Sequence, residues 1–370
     1  MAKFEPQDVE PRKYEVSRRR FLRNAGMAAA SVPLLGGLSE ILGERGASAQ
    51  TYRDESHPLF ASHPAYKFTF VNHVTTNPFF TATQYGMQDA ARILGIPTPQ
   101  WAGSQVSAVS DMVNAIDVAI AGKVNGIATT LIDPTAFNKP VDRALDIGIP
   151  VIAYNADEPG NSRLCYVGQS NLTAGAAAAE LIVATLKPGD LIGMVIATPG
   201  TGNIQPRING ALPIFTKAGM KTEVVAGGAL VPAEITAVQA WWEGHKDVKF
   251  LYSVDNGDSE AVADCITKNH LKGTVGGSGW DVSLPVLDGV KSGALMFSID
   301  QQAYLQGFVP VIQLFLYNIS AGLMKPCDTD SGLGFINKGN VGPYLAHSTR
   351  FEGATTKATV YTPPNKILHS

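Results

Sequence analysis

Short apolar runs alternate from residue 66 onward with stretches that have the period of an amphipathic helix. The stretch 109–120 is typical, since Met112 and Ile116 share a face opposite Asp111 and Asp117. The strand candidates are 68–74, 126–132, 150–155, 164–168, 191–197, 222–226, 248–254, 274–280 and 295–299. This alternation predicts an α/β fold with largely parallel sheets and helices on both faces.

The strand candidates outnumber those of one compact sheet of this length, which predicts two similar doubly wound lobes. We expect the chain to pass between the lobes three times, at 166–171, near Gln301 and within 329–341. The predicted lobes are 66–169 plus 302–332, and 170–301 plus 333–362. Parallel α/β sheets bind small ligands at the carboxyl ends of their strands, so residues that follow strands are the candidate site.

The stretch 172–186 is rich in alanine and is predicted to be a helix that begins at the first crossing. Asn171 is placed to cap its first turn with a side-chain oxygen. The small side chains at 176–179 should let this helix pack very close to its sheet.

The first 49 residues have the features of an export leader. Arg18-Arg19-Arg20 precedes a weakly apolar run over 25–42, and Ala47-Ser48-Ala49 then offers a cleavage site after Ala49. A membrane anchor is the alternative, but Pro33 and Glu40 interrupt a run that would need about 20 apolar residues. We therefore expect a twin-arginine signal and a mature protein in the periplasm.

Charge and cysteine content exclude several classes of partner. The chain carries 29 Lys+Arg against 32 Asp+Glu, without a basic block, which argues against nucleic acid or an anionic lipid surface. Cys165, Cys265 and Cys327 allow at most one disulfide and show no Cys-x-x-Cys spacing. The histidines are scattered without metal spacing, so we expect neither a metal nor a cofactor.

The stretch 67–94 combines a strand, two aromatic residues and a helix. Asn77-Pro78 and then Phe79-Phe80 follow the strand that contains His73. Pro78 suits the first helical turn, where its missing N–H costs nothing. We therefore expect both rings at the mouth of the crevice.

Further polar and aromatic residues follow other strand candidates. They are Asn155, Asp157, Arg207, Asp255, Asn256, Trp280, Asp281 and Gln301. Carboxylates accept paired hydrogen bonds from vicinal hydroxyls, arginine donates in a fixed fork, and aromatic rings cover the C–H faces of a sugar. The set is therefore typical of a site for a polyhydroxyl compound.

Taken together, these segments resemble the ribose-type periplasmic sugar-binding proteins, the substrate-binding subunits of bacterial ABC importers, over roughly residues 66–345. The resemblance implies the type I periplasmic-binding-protein fold, with a three-crossover hinge between its lobes. It also implies a monomer that delivers a sugar or polyol to a membrane permease. The implied ligand contacts are Asn77, Phe79 or Phe80 as a ring wall, Arg207, Asp255, the pair Trp280-Asp281, and Gln301.

Two positions depart from that family's pattern. An Asp-Arg pair commonly follows the fourth strand, whereas this chain has Asn155-Ala156-Asp157, and His73 replaces a small polar residue. An arginine brings up to five donors, so its loss argues against a pentose pyranose. A polyol, a deoxy sugar or a furanose remains open.

Structural roles compete with several of these assignments. Asp281 is also placed to cap a helix over 282–290, His73 to be a hydrogen-bonded core histidine, and Arg207 to pair with a surface carboxylate. A nucleoside or signalling-furanose binder of the same fold, and a periplasmic sensor, are alternative functions.

An enzyme is the least favoured alternative. Gly276-Gly277-Ser278-Gly279 is followed by Trp280 and not by the glycine of a nucleophile elbow. Gly200-Thr201-Gly202 lacks the further glycine of a dinucleotide site and the Lys-Ser/Thr of a phosphate loop.

Overall fold

The structure is a computed structural model that describes residues 62–158, 160–228, 230–346, 350–353 and 356. The predicted leader and its cleavage site lie outside these residues. Within the described part of the chain, no helix is both long and apolar enough to cross a membrane.

Strands and helices alternate as the sequence predicts. The strands are β1 (Phe68–Asn72), β2 (Gln100–Gly103), β3 (Gly126–Thr129), β4 (Val151–Tyr154), β5 (Tyr166–Gly168), β6 (Leu191–Ile196), β7 (Lys221–Ala226), β8 (Val248–Ser253), β9 (Gly276–Gly277), β10 (Phe297–Asp300), β11 (Thr329–Asp330) and β12 (Gly334–Asn337). The helices are α1 (Phe80–Leu94), α2 (Val109–Ala121), α3 (Asn138–Asp146), α4 (Asn171–Val183), α5 (Gln205–Lys217), α6 (Val231–Gly244), α7 (Asn256–Lys268), α8 (Leu284–Ser292), α9 (Ala303–Ile319) and α10 (Val341–Ala346).

The strands form two main parallel sheets. The first has the order β11-β5-β4-β3-β1-β2 and the second the order β7-β6-β8-β9. An antiparallel pair of β10 and β12 adjoins the second sheet, because Met296 N donates to Gly277 O and Gly279 N to Phe297 O. The predicted α/β fold with parallel sheets is confirmed.

Strand β6 shows why such strands are apolar along their whole length. Ile192 and Met194 pack into one hydrophobic cluster, while Leu191 and Val195 pack into another on the opposite face. Successive side chains point to opposite faces of a sheet, so a strand covered on both sides buries every residue.

The chain passes between the sheets three times, after β5, after β10 and after β11. These crossings match the predicted positions. Residues that follow β5, β10 and β11 therefore lie side by side where the two sheets meet.

Close helix pairs accompany both sheets. A Cβ atom at Gly307 of α9 would lie 1.9 Å from Thr83 O of α1, and one at Gly175 of α4 would lie 2.1 Å from Arg207 O of α5. The alanine-rich helix therefore approaches α5 closely at a glycine, and its Ala178 and Ala179 share a hydrophobic cluster with Ile192 and Met194 of β6.

Other local predictions need correction. Strand β2 was not predicted, because an edge strand with the sequence Gln-Trp-Ala-Gly lacks an apolar run. Strand β1 ends at Asn72, and Pro78 lies in the turn before α1. In the tail, Arg350 Nε lies 2.8 Å from Asp89 Oδ2 on α1, and the predicted lobe boundaries stay a prediction.

Candidate ligand site at the strand ends

Arg207 is held in a fixed position in α5, which follows β6. Its side chain is buried, and Nε donates to Asn171 Oδ1 at 2.9 Å while Nη1 donates to Val254 O at 2.6 Å. The guanidinium carbon lies 4.5 Å from the centroid of the Trp280 ring. Burial lowers the pKa of Arg207, and the nearby carboxylates of Asp281 and Asp255 oppose that shift. The alternative role in a surface ion pair is therefore wrong.

Asn171 has a different role from the one predicted. It is the first residue of α4, the cap position belongs to Ser170, and no side-chain hydrogen bond caps the helix. Its side-chain oxygen instead accepts from Arg207, so Asn171 orients the guanidinium group.

The ring of Trp280 packs against the guanidinium group of Arg207. The Trp280 side chain is fully buried, its Nε1 donates to Gln169 Oε1 at 3.2 Å, and its ring meets Tyr252 edge-on at 6.2 Å. A flat aromatic face beneath a guanidinium group adds cation–π attraction to the hydrogen bonds. Trp280 is thus placed to position the arginine in this structure.

Asp281 lies beside this pair in a backbone conformation with φ 71°. Its Oδ1 accepts from Gln301 Nε2 at 2.7 Å, and its backbone N–H donates to Ile299 O at 2.8 Å. Helix α8 begins only at Leu284 with Ser283 at the cap position, so the capping role for Asp281 is wrong. Burial raises the pKa of Asp281 to about 7, although Arg207 and Gln301 favour the charged form.

The raised pKa makes stability depend on pH. Between the ordinary pKa and about 7, the folded state keeps a proton on Asp281 that the unfolded chain releases. The contribution of Asp281 to the free energy of unfolding should therefore fall as pH rises through this window and then level off. Chemical denaturation of wild type and Asp281→Asn from pH 4 to 8 tests this. The wild type should lose stability relative to the variant, and parallel curves would contradict the assignment.

A second set of buried amides links the three crossings. Gln306 Nε2 donates to Gln301 O at 2.9 Å, and Gln306 Oε1 accepts from Asn155 Nδ2 at 3.0 Å. Ser331 Oγ also donates to Gln301 O, at 2.8 Å. Gln169 Nε2, after β5, donates to Gly332 O at 2.8 Å. Residues of all three crossings therefore share hydrogen bonds.

A separate aromatic group follows β1. His73 is buried, its Nδ1 lies 3.2 Å from Thr130 Oγ1, and its ring meets Phe80 edge-on at 5.4 Å. Phe80 packs against Phe79 at 4.8 Å and Trp101 at 6.1 Å between ring centroids. Burial lowers the pKa of His73 to about 4, so its ring is neutral near pH 7.

The remaining predicted residues mainly make hydrogen bonds to residues near them in the chain. Asn77 is exposed, and its Oδ1 accepts from Phe79 N at 2.9 Å. Asp157 forms a two-pronged ion pair with Arg163. Asn256 Nδ2 donates to Glu260 Oε1 at 2.8 Å.

Asp255 caps α7, because its Oδ1 accepts from Asp258 N at 2.8 Å. Burial raises the pKa of Asp255, whereas the backbone bond from Asp258 and the charge of Arg207 lower it. Asp255 thus belongs electrostatically to the same neighbourhood as Arg207 and Asp281.

The structure brings Arg207, Trp280, Asp281 and Gln301 into one connected group and His73, Phe79 and Phe80 into another. Among the described residues, no hydrogen bond or ring contact joins the two groups. Sequence reasoning missed Asn171 as a partner of Arg207, and it missed Gln169, Gln306 and Ser331 altogether.

A family model described as a periplasmic binding protein domain matches residues 68–317, which include every strand of the two parallel sheets except β11. The chain belongs to the periplasmic binding protein family. This membership confirms the resemblance drawn from the strand-end residues.

Two relatives of this chain differ in how similar they are to it. The xylose/arabinose-binding protein XylF of Sulfolobus acidocaldarius is 42% identical over 309 residues, which cover 80% of this chain and 76% of XylF. The ribose import binding protein RbsB of Bacillus subtilis is 22% identical over 258 residues, covering 65% of this chain and 78% of RbsB.

Solved structures of periplasmic binding proteins share the fold. An ABC transporter solute-binding protein from Burkholderia graminis, solved with D-arabinose, superposes with a TM-score of 0.70 at 24% identity. The alignment covers 76% of this chain and 99% of that protein. At this identity the likeness establishes the fold alone.

Proposed function

We propose that this protein is an exported solute-binding protein that captures a sugar between its two sheets and delivers it to the permease of an ABC importer. The observation that carries this proposal is the buried group of Arg207, Trp280, Asp281 and Gln301 at the strand ends, next to the crossings. The family, and the twin-arginine pattern before residue 50, support export to the periplasm.

The chemistry of this group fits a polyhydroxyl ligand. Two donors of Arg207 are committed to Asn171 and Val254, which fixes the guanidinium plane and leaves Nη2 for a ligand oxygen. Gln301 occupies Oδ1 of Asp281, so Oδ2 can accept from a sugar hydroxyl. A donor and an acceptor side by side match the dual character of a hydroxyl group.

A pentose is the ligand class that we favour. The name of XylF gives xylose and arabinose as the ligands of that relative, which is 42% identical to this chain. The sequence pattern argues against a pentose pyranose because Asn155-Ala156-Asp157 replaces the family's Asp-Arg pair, yet the structure pairs Asp157 with Arg163. An acid–arginine pair is therefore present near β4 after all.

A thermal-shift screen tests the function and its ligand class. Purified protein is heated with pentoses, hexoses, deoxy sugars, polyols and nucleosides, each at high concentration. A ligand at 100 times its Kd stabilises the folded state by about 2.7 kcal/mol, which gives a clear rise in Tm. We expect the largest shift with a pentose. A shift with nucleosides alone, or chemical conversion of the sugar during incubation, would contradict the proposal.

Capture between the sheets also requires a conformational response. A ligand that moves an open-to-closed ratio from 1:99 to 99:1 must bind the closed form more tightly by about 5.5 kcal/mol. A few charge-assisted hydrogen bonds at about 1.5–3 kcal/mol each supply this difference. Small-angle X-ray scattering should show a smaller radius of gyration with the sugar, and an unchanged radius would exclude closure.

A further inference from the structure

Three carboxylates lie close together at the N-termini of α6 and α7, beside the group around Arg207. Glu234 lies in α6, Asp255 caps α7, and Asp258 lies in its first turn. One carboxylate oxygen of each residue lies within 4.8 Å of the other two. We call these three residues the acid cluster.

The acid cluster contains carboxylate oxygens without a protein partner. Asp258 is fully buried, yet among the described residues neither of its side-chain oxygens has a hydrogen-bond partner of normal geometry. The same holds for Oε2 of the buried Glu234. The backbone amides of Val254 and Ala197 lie near enough to Asp258 to lower its pKa but do not satisfy it. Buried polar groups nearly always have a hydrogen-bond partner, so these oxygens point to a binding partner that is not part of the protein.

Basic side chains of the described residues do not take the place of such a partner. In the part of the chain that the structure describes, no lysine, arginine or histidine forms an ion pair with Glu234 or Asp258. Arg207 acts on Asp255 through its charge, but the two hydrogen bonds that the structure gives its side chain go to Asn171 and Val254. The N-termini of α6 and α7 carry a partial positive charge of about +0.5 each, which is too small to neutralise three neighbouring carboxylates.

The geometry suits a hard divalent cation. Calcium takes oxygen ligands at about 2.3–2.6 Å, so two ligands of one ion lie at most about 5 Å apart. The oxygens of the acid cluster meet this limit. Gly257 leaves room for the Glu234 carboxylate next to α7, because a Cβ atom there would lie 1.9 Å from Glu234 Oε2. Calcium also tolerates the irregular coordination that three carboxylates and water provide, whereas magnesium demands a near-ideal octahedron.

We propose that Glu234, Asp255 and Asp258 bind one Ca²⁺ ion between the first turns of α6 and α7. Burial and mutual repulsion raise the pKa of Glu234 to about 8 and that of Asp258 well above its ordinary value, which agrees with an uncompensated cluster. The ion also stabilises the end of β8, where Asp255 adjoins the ligand site.

Thermal unfolding of the chelator-treated protein tests this site without any sugar. Saturating Ca²⁺ should raise the Tm of the wild type on the order of 5 °C, and calorimetric titration should show one ion per chain. Glu234→Gln and Asp258→Asn should lose most of this rise. Without metal, both variants should be as stable as the wild type or more so, because each removes a buried carboxyl group that has no hydrogen-bond partner and lies beside two others.

Glu243→Gln is the matched control, because Glu243 lies on the same helix with its side chain 59% exposed and pairs with Lys246. It should respond to Ca²⁺ as the wild type does. A wild-type Tm that no divalent cation changes, together with a pH-dependent Tm that Glu234→Gln flattens, would show that the cluster holds protons and would overturn the proposal. A response to Mg²⁺ but not to Ca²⁺ would overturn the choice of ion.

Discussion

Replacing Arg207 by lysine is expected to weaken sugar binding by on the order of 100-fold or more. Lysine keeps the positive charge but loses the planar fork that Asn171 and Val254 O hold over Trp280. The ammonium group can neither reproduce both protein bonds nor present a donor at the position of Nη2. Isothermal titration with the pentose found by the screen measures the change in Kd.

Arg143→Lys is the control for this change. Arg143 forms an exposed pair with Asp117, with the arginine side chain 49% exposed, and lies in α3. It should bind sugar as the wild type does. A Kd of Arg207→Lys within twofold of the wild type, with intact secondary structure, would show that the ligand does not contact this arginine.

Replacing Gly307 by alanine is expected to destabilise the protein by about 3 kcal/mol, although alanine is the better helix former. The added Cβ atom would lie 1.9 Å from Thr83 O in α1, which no side-chain rotation can relieve. Helices α1 and α9 would have to separate. Urea denaturation measures the loss as a lower free energy of unfolding.

Gly244→Ala isolates the effect of close packing. Gly244 ends α6, and a Cβ atom there would have no neighbour within 4 Å. Alanine should be neutral at this position or stabilise by up to about 1 kcal/mol. Equal losses in both variants would mean that the approach of α9 to α1 is not the cause.

The sequence predicts the group around Arg207 because each member follows a strand. Parallel strands end at one edge of a sheet, so Asp281 and Gln301 come together although they are 20 positions apart in the chain. The position of a residue after a strand does not determine how deeply its side chain is buried. For this reason the full burial of Trp280 could not be predicted.

The supporting amides carry no such signal. Gln306 lies within a helix and Gln169 in a short connection, where glutamine is common and usually exposed. Their partners come from other crossings, so only the tertiary structure identifies them. Asn171 was predicted to be a cap because capping is the common role of asparagine before a helix, and its bond to Arg207 spans 36 residues.

The most direct test of the proposed site is calorimetric titration of the same pentose into wild type and Asp281→Ala. Asp281 accepts from Gln301 and is influenced by the charge of Arg207, so a sugar bound as proposed would contact its carboxylate. We predict one saturable site per chain in the wild type and no measurable binding in the variant, with secondary structure unchanged. Equal affinity in both proteins would place the sugar elsewhere and contradict the account.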